Sequence, residues 1–239
     1  MLAAAAAEPD RLVVGVDASA AAMAEASRRA ARRPGRGGLP NALFVVAAAE
    51  ALPPELDGLA GLVTVHFPWG SLLRGLLGAD PAVLEGLARM LRPGATLSML
   101  VSSTPRDTSA GTGPIDRRSL ATLAGPYGRH GLAVTRARPA TPADVAASRS
   151  TWGRRLGAGA RRPAWLLEAT RVAAGGPGPV SAEPGQAGPG RLQPGGGVVK
   201  AGPGVGCGQA LGDGGQGVHA GNEALQLGPV QRDRDGRPG

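Results

Sequence analysis

At 239 residues with a single cysteine, Cys207, the chain can build no disulfide framework or cysteine metal site of its own, and no apolar run nears the roughly 20 residues that span a bilayer. Twenty-six basic against 18 acidic side chains leave a formal charge of +8, which points to a polyanionic partner, nucleic acid being the commonest one. A GC-rich coding bias explains the arginine excess about as well, since Lys200 is the only lysine.

The opening MLAAAAAEPDR has no basic segment ahead of its apolar run, unlike a secretory signal, so a soluble cytoplasmic protein is expected. LVVGVD at 12–17 is almost wholly apolar and ends in an acid, as a strand buried on both faces does. Ser19 then suits an N-cap, and the alanine-rich stretch after it predicts a helix that runs to Pro34. LFVVAA at 43–48 and LVTVHF at 62–67 are further strands, separated by Pro53 and Pro54. SLLRGLL at 71–77 and PAVLEGLARML at 81–91 have helical spacing, Arg92-Pro93-Gly94 reads as a turn, and ATLSMLVSS follows as a strand. LAVTRARP at 132–139 and AWLLEATRV at 164–172 complete the pattern as an antiparallel pair. Strands alternating with helices predict an α/β domain with a mostly parallel sheet and a hairpin edge.

From about residue 173 the sequence is dense in glycine and proline without apolar period, as in GGPGPVSAEPGQAGPG. The expected division is therefore a folded domain over 1–172 and a disordered tail over 173–239. Charges in that tail cancel (Arg191, Lys200, Arg232, Arg234 and Arg237 against Glu183, Asp213, Glu223, Asp233 and Asp235), so the folded part carries the excess.

Several residues stand out as chemical candidates. Asp17, at the end of a strand that feeds a helix, lies at the rim where open α/β sheets bind ligands, and its carboxylate can accept from both ribose hydroxyls of a nucleoside. Capping the following helix accounts for it equally well. Pro68-Trp69-Gly70 places an indole in a stiff turn at the same rim, where it can stack on a base or cover an apolar patch. In SRSTWGRRLGAGARRPAW, residues 148–165, Trp152 stands with Arg154, Arg155, Arg161 and Arg162 in a glycine-punctuated loop, the residue types of RNA contact. Arg28, Arg29, Arg32 and Arg33 fall on one face of the first predicted helix, a phosphate-binding patch or simply a solvated surface. Glu50 sits at the next strand rim. No Ser-His-Asp, paired-carboxylate or metal-ligand pattern emerges, so no metal is expected.

Taken together, VVGVDAS at 13–19, NALFVVAAAEALP at 41–53, LVTVHFPWGSLLRGLLG at 62–78, LRPGATLSML at 91–100 and STWGRRLG at 150–157 closely resemble the aminoglycoside-resistance 16S rRNA adenine-N1 methyltransferases, the kanamycin-apramycin resistance group. The resemblance spans about residues 8–172. It implies a Rossmann-like class I fold that binds S-adenosyl-L-methionine at the strand rims and methylates N1 of a decoding-site adenine in the 30S subunit, acting as a monomer. By position, Asp17 with Ala18 would hold the ribose, Ala49 and Glu50 would flank the cofactor adenine, and His66, Ser71 and Ser150 would line the pocket. Trp69 and Trp152 would sandwich a flipped adenine with Pro68 aligning its edge, and Arg28, Arg29, Arg32, Arg33, Arg154, Arg155 and Arg162 would grip RNA phosphates.

The family begins with a strand and a glycine-rich loop, and this sequence opens after both, so it reads as truncated at its N-terminus. That strand would lie between those at 12–17 and 62–67. Two strand edges are then expected to stand unpaired in the core, with weak cofactor binding as the consequence. A methyltransferase of the same fold acting on a small molecule, or a non-catalytic RNA-binding remnant, are the alternatives; RNA binding lost on mutating Arg155 argues against the first, and methyl transfer to isolated 30S subunits against the second.

Overall fold

The computed structural model describes residues 1–103, 113–159, 161–173 and 225–227, with the backbone alone for Trp152, Leu156 and 225–227. These residues belong to one unit, Met1–Gly176 with Ala220–Gly239; the second unit, Pro177–His219, lies outside the described residues.

A short helix, α1 (Leu2–Ala7), leads into β1 (Val13–Asp17), every residue of which is buried. Asn41 ties the connection down: its amide donates to the carbonyls of Ala5, Glu8 and Arg11 at 2.8–3.0 Å, so the chain entering β1 is held against the chain entering the next strand. Ser19 caps α2 (Ala20–Ala30), its hydroxyl accepting from the Ala22 amide at 3.2 Å. The helix stops four residues before Pro34. Gly38 allows this, because the chain folds back so closely that a Cβ there would lie 1.6 Å from the Arg32 carbonyl oxygen, while the Leu39 amide closes on the Ala30 carbonyl at 2.8 Å.

β2 (Ala42–Val46), β3 (Ala60–His66), α3 (Gly70–Leu77) and α4 (Pro81–Met90) follow as the spacing predicts, with Asp80 capping α4 through the Ala82 and Val83 amides. The expected turn at 92–94 is instead part of β4 (Leu91–Val101). Ala60 pairs with Leu91 and Leu62 with Thr96, so Arg92–Ala95 bulge out, Pro93 having no amide for the ladder and Gly94 adopting φ 79°. Two short helices, α5 (Arg117–Ala121) and α6 (Ala124–Arg129), precede β5 (Leu132–Pro139). Then come α7 (Pro142–Ala147), α8 (Thr151–Leu156) and β6 (Trp165–Arg171), which pairs antiparallel with β5 as expected and also with β4.

A last strand, β7 (Leu225–Leu227), gives a seven-stranded sheet of order β2-β1-β7-β3-β4-β6-β5. It overturns the expectation of unpaired edges between β1 and β3: β7 pairs antiparallel with both. Part of the stretch read as a tail is thus a central element of the sheet.

The main apolar cluster gathers β1, β3, β4, α3 and α4 around fully buried Leu73, Leu76, Leu84, Leu87, Met90 and Leu97. Tyr127 joins it, its hydroxyl donating to the Leu76 carbonyl at 3.1 Å; burial pushes the phenol well above its ordinary value. A second cluster of Phe67, Leu100, Val145, Ala158, Ala164 and Leu166 lies where β3 ends and α7 and α8 pack. Among the described residues no helix is long and apolar enough to cross a membrane.

Candidate functional site

Three strand ends of the parallel core carry candidate residues. Asp17 closes β1, 5% exposed, with Oδ1 accepting the Ser19 amide at 2.7 Å. It therefore supports the start of α2, and its carboxylate is buried at the rim of the sheet. Ala18 is exposed beside it.

After β2 the chain makes a single turn, Ala49–Ala51, with Ala49 buried and Glu50 exposed. Its placement depends on Gly86 of α4, where a Cβ would fall 2.4 Å from the Ala49 carbonyl oxygen. The helix can approach the turn only because that position has no side chain.

His66 ends β3 and is half-buried. Burial, reinforced by the N-terminal ammonium, pushes its imidazole down to about 4, so it is neutral near pH 7. Phe67 follows with φ 54°, unusual for a bulky residue, and Gly70 with φ 60° completes the turn. Between them Pro68 is buried, and Trp69 is 40% exposed at the start of α3. Trp69 is thus partly covered and partly open to solvent at the rim. Ser71, in the first turn of α3, is exposed.

The segment after α7 was expected as a loop, and its first half is the helix α8. The Ser150 hydroxyl caps it, accepting the Gly153 amide at 3.0 Å, and Gly157, at φ 64°, ends it. Arg149, just before, holds φ 50°. The Trp152 side chain lies outside the described residues.

Gly153 is the contact that sequence reasoning missed. A Cβ there would sit 2.4 Å from Cε2 of Phe67, whose ring is 1% exposed, so α8 rests directly on that ring. Two residues beyond Phe67 is Trp69, and immediately before Gly153 is Trp152; the fold brings both tryptophan-bearing segments to the end of β3. Nothing local in either segment signals this contact, because it joins residues far apart in the chain.

Of the arginines, Arg28, Arg29, Arg32, Arg33, Arg154 and Arg155 are exposed. Their arrangement corrects one expectation: α2 ends at Ala30, so Arg32 and Arg33 lie beyond it and the four do not form one helical face. Arg28 is paired with Glu25 at 3.0 Å. Arg162 differs from the rest, being half-buried with Nη1 shielded from solvent and without a hydrogen-bond partner among the described residues. A guanidinium in that condition is short of an acceptor. No group of three or more metal-ligating side chains stands together among the described residues.

Parallel pairs β1/β2 and β3/β4 on either side of antiparallel β7, an antiparallel β4-β6-β5 edge and helices between the strands make this a Rossmann-like α/β domain, with a buried acid at one strand tip, where open α/β sheets bind ligands. Comparison with known proteins makes this specific. Residues 1–171 match the family model described as NpmA, 16S rRNA (adenine(1408)-N(1))-methyltransferase. The enzyme of that name from Streptoalloteichus tenebrarius is 40% identical over 153 residues, covering 62% of this chain and 70% of its own. A crystal structure of a tryptophan mutant of the Catenulisporales acidiphilia enzyme with cosubstrate SAM gives a TM-score of 0.67 at 34% identity, covering 74% of this chain and 82% of that one. That of the 16S rRNA methyltransferase KamB gives 0.62 at 36%, covering 72% and 81%. The chain belongs to the 16S rRNA (adenine(1408)-N(1))-methyltransferase family, whose members use S-adenosyl-L-methionine and act on 16S rRNA.

Proposed function

We propose that this chain transfers a methyl group from S-adenosyl-L-methionine to N1 of an adenine in the decoding site of 16S rRNA, acting as a cytoplasmic monomer on the assembled 30S subunit and conferring aminoglycoside resistance. The observation that carries the reading is the packing of Gly153 on Phe67, which joins the two tryptophan-bearing segments at the β3 rim.

The residues present fit the cofactor. The Asp17 carboxylate suits ribose hydroxyls, with Ala18 beside it; the Ala49–Ala51 turn suits the adenine ring, flanked by Ala49 and Glu50. His66, neutral near pH 7, adds no positive charge next to a sulfonium. Ser71, and Ser150 with the proton of its capping hydroxyl free to donate, line the remaining side. When bound, the cofactor supplies an electrophilic methyl group, and the N1 lone pair of adenine is available without prior deprotonation. The protein's task is then alignment, which the pair Trp69 and Trp152 performs by stacking on the flipped base while Pro68 stiffens the turn behind it. Arg154, Arg155 and the acceptor-poor Arg162 hold phosphates near the base, and Arg28, Arg29, Arg32 and Arg33 contact the backbone further out.

Incubating the purified chain with isolated 30S subunits and labelled cofactor, followed by primer extension on the 16S RNA, tests this. A stop at one decoding-site adenine is expected. Label absent from the RNA, or found at a small molecule only, overturns it.

A further inference from the structure

The strand between β1 and β3 comes from far downstream in the chain. Leu225, Gln226 and Leu227 stand in register with Val16, Gly15 and Val14 on one side, and with Val65, Thr64 and Val63 on the other. Val14, Val16, Val63 and Val65 are each at most 2% exposed. Backbone so deeply covered cannot take its hydrogen bonds from water, so the segment in the slot must carry both ladders. Of the described residues, the three of β7 face β1, five residues long, and β3, seven residues long. The slot's occupant runs against strands that are parallel to one another. β7 sets a spacing of roughly 10 Å between β1 and β3, two strand widths. The C-terminal ends of those two strands are Asp17 and His66.

We propose that β7, Leu225–Leu227, acts in cis as part of the cofactor site, filling the slot so that Asp17 and His66 face one ligand, and that displacing it dismantles this rim. The function of the rim rests on the reading given above, but the strand's part in building it is measured without cofactor. Hydrogen exchange on the full chain should show strong protection at residues 14–16 and 63–65. Gln226→Pro removes an amide donor and places proline in mid-sheet. It should lower protection at those residues by a hundredfold or more, and a nuclear magnetic resonance titration of His66 should move from near 4 towards 6.5. A second measurement covers the case in which that variant fails to fold. In a Cys207→Ser background, Val14→Cys with Leu227→Cys, register partners within disulfide reach, should cross-link on mild oxidation. Unchanged protection in Gln226→Pro, an unmoved His66 titration, or no cross-link overturns the proposal; failure of the methylation assay with these results intact would count against the cofactor reading alone.

Discussion

Phe67 and Gly153 show how single residues set the candidate site. The ring has no room to retreat, so a methyl group at 153 must displace α8. Gly153→Ala is expected to cost about 1–3 kcal/mol in stability, as overpacked cores do, and to lower methylation of 30S subunits further than the fall in Tm alone explains. A thermal melt alongside single-turnover methylation checks this. Trp69 makes the opposite case. At 40% exposure it is only partly covered, so Trp69→Ala should lower Tm less than Gly153→Ala does while kcat/KM falls roughly 10- to 100-fold, the worth of one stacked base. A loss of Tm with activity intact would return the indole to a covering role. Both tryptophans were legible in the sequence because rare, large residues in stiff or glycine-punctuated segments stand out. Phe67 and Gly153 were not, since an ordinary aromatic and an ordinary glycine acquire meaning only from each other.

At the scale of elements, α7 is organised by one carboxylate. Asp144 accepts from both Arg138 guanidinium nitrogens at 2.6 and 2.9 Å and from the Thr141 amide at 2.6 Å, completing a capping box. The Arg138 pair, aided by Thr141, holds its carboxyl well below the usual range. A carboxylate so depressed adds stability that is full above its ordinary value of about 3.8 and is lost progressively as the pH falls from there towards its depressed one. Asp144→Asn should lower Tm by a few degrees at pH 7 and by less at pH 3, measured by calorimetry; equal losses at both would mean the charge is not involved. Because Val145 of α7 belongs to the cluster under Phe67, the same variant should also loosen α8. Helices α3 and α4 and strands β1, β3, β4 and β6 were legible from periodicity, since each buries a stripe or a whole strand, and β2 and β5 from their apolar and β-branched runs. The early end of α2 was not, because a close turn at Gly38 and tertiary bonds decided it, not the proline that follows.

For the molecule as a whole, the buried rim makes stability depend on pH. His66 titrates near 4 when folded and near 6.5 as an ordinary histidine, so the unfolded chain takes the proton first. The contribution of His66 is complete above about 6.5, declines as the pH falls from 6.5 to 4 by about 3 kcal/mol at most, and changes no further below that. Urea unfolding at pH 7.5 and 5.0 should show the loss, and His66→Gln should remove most of it; a flat profile in the parent chain would mean the imidazole is solvated. By itself the sequence determined the α/β class, strands β1 to β6, helices α2 to α4 and the family, because apolar period, capping residues and motifs are local and survive without coordinates. Only the tertiary structure decided what fills the centre of the sheet and which segments meet at the β3 rim. Strand pairing and ring-on-glycine packing join residues distant in the chain, and a three-residue strand such as Leu225–Leu227 has no local signal strong enough to distinguish it from the glycine- and proline-rich chain around it.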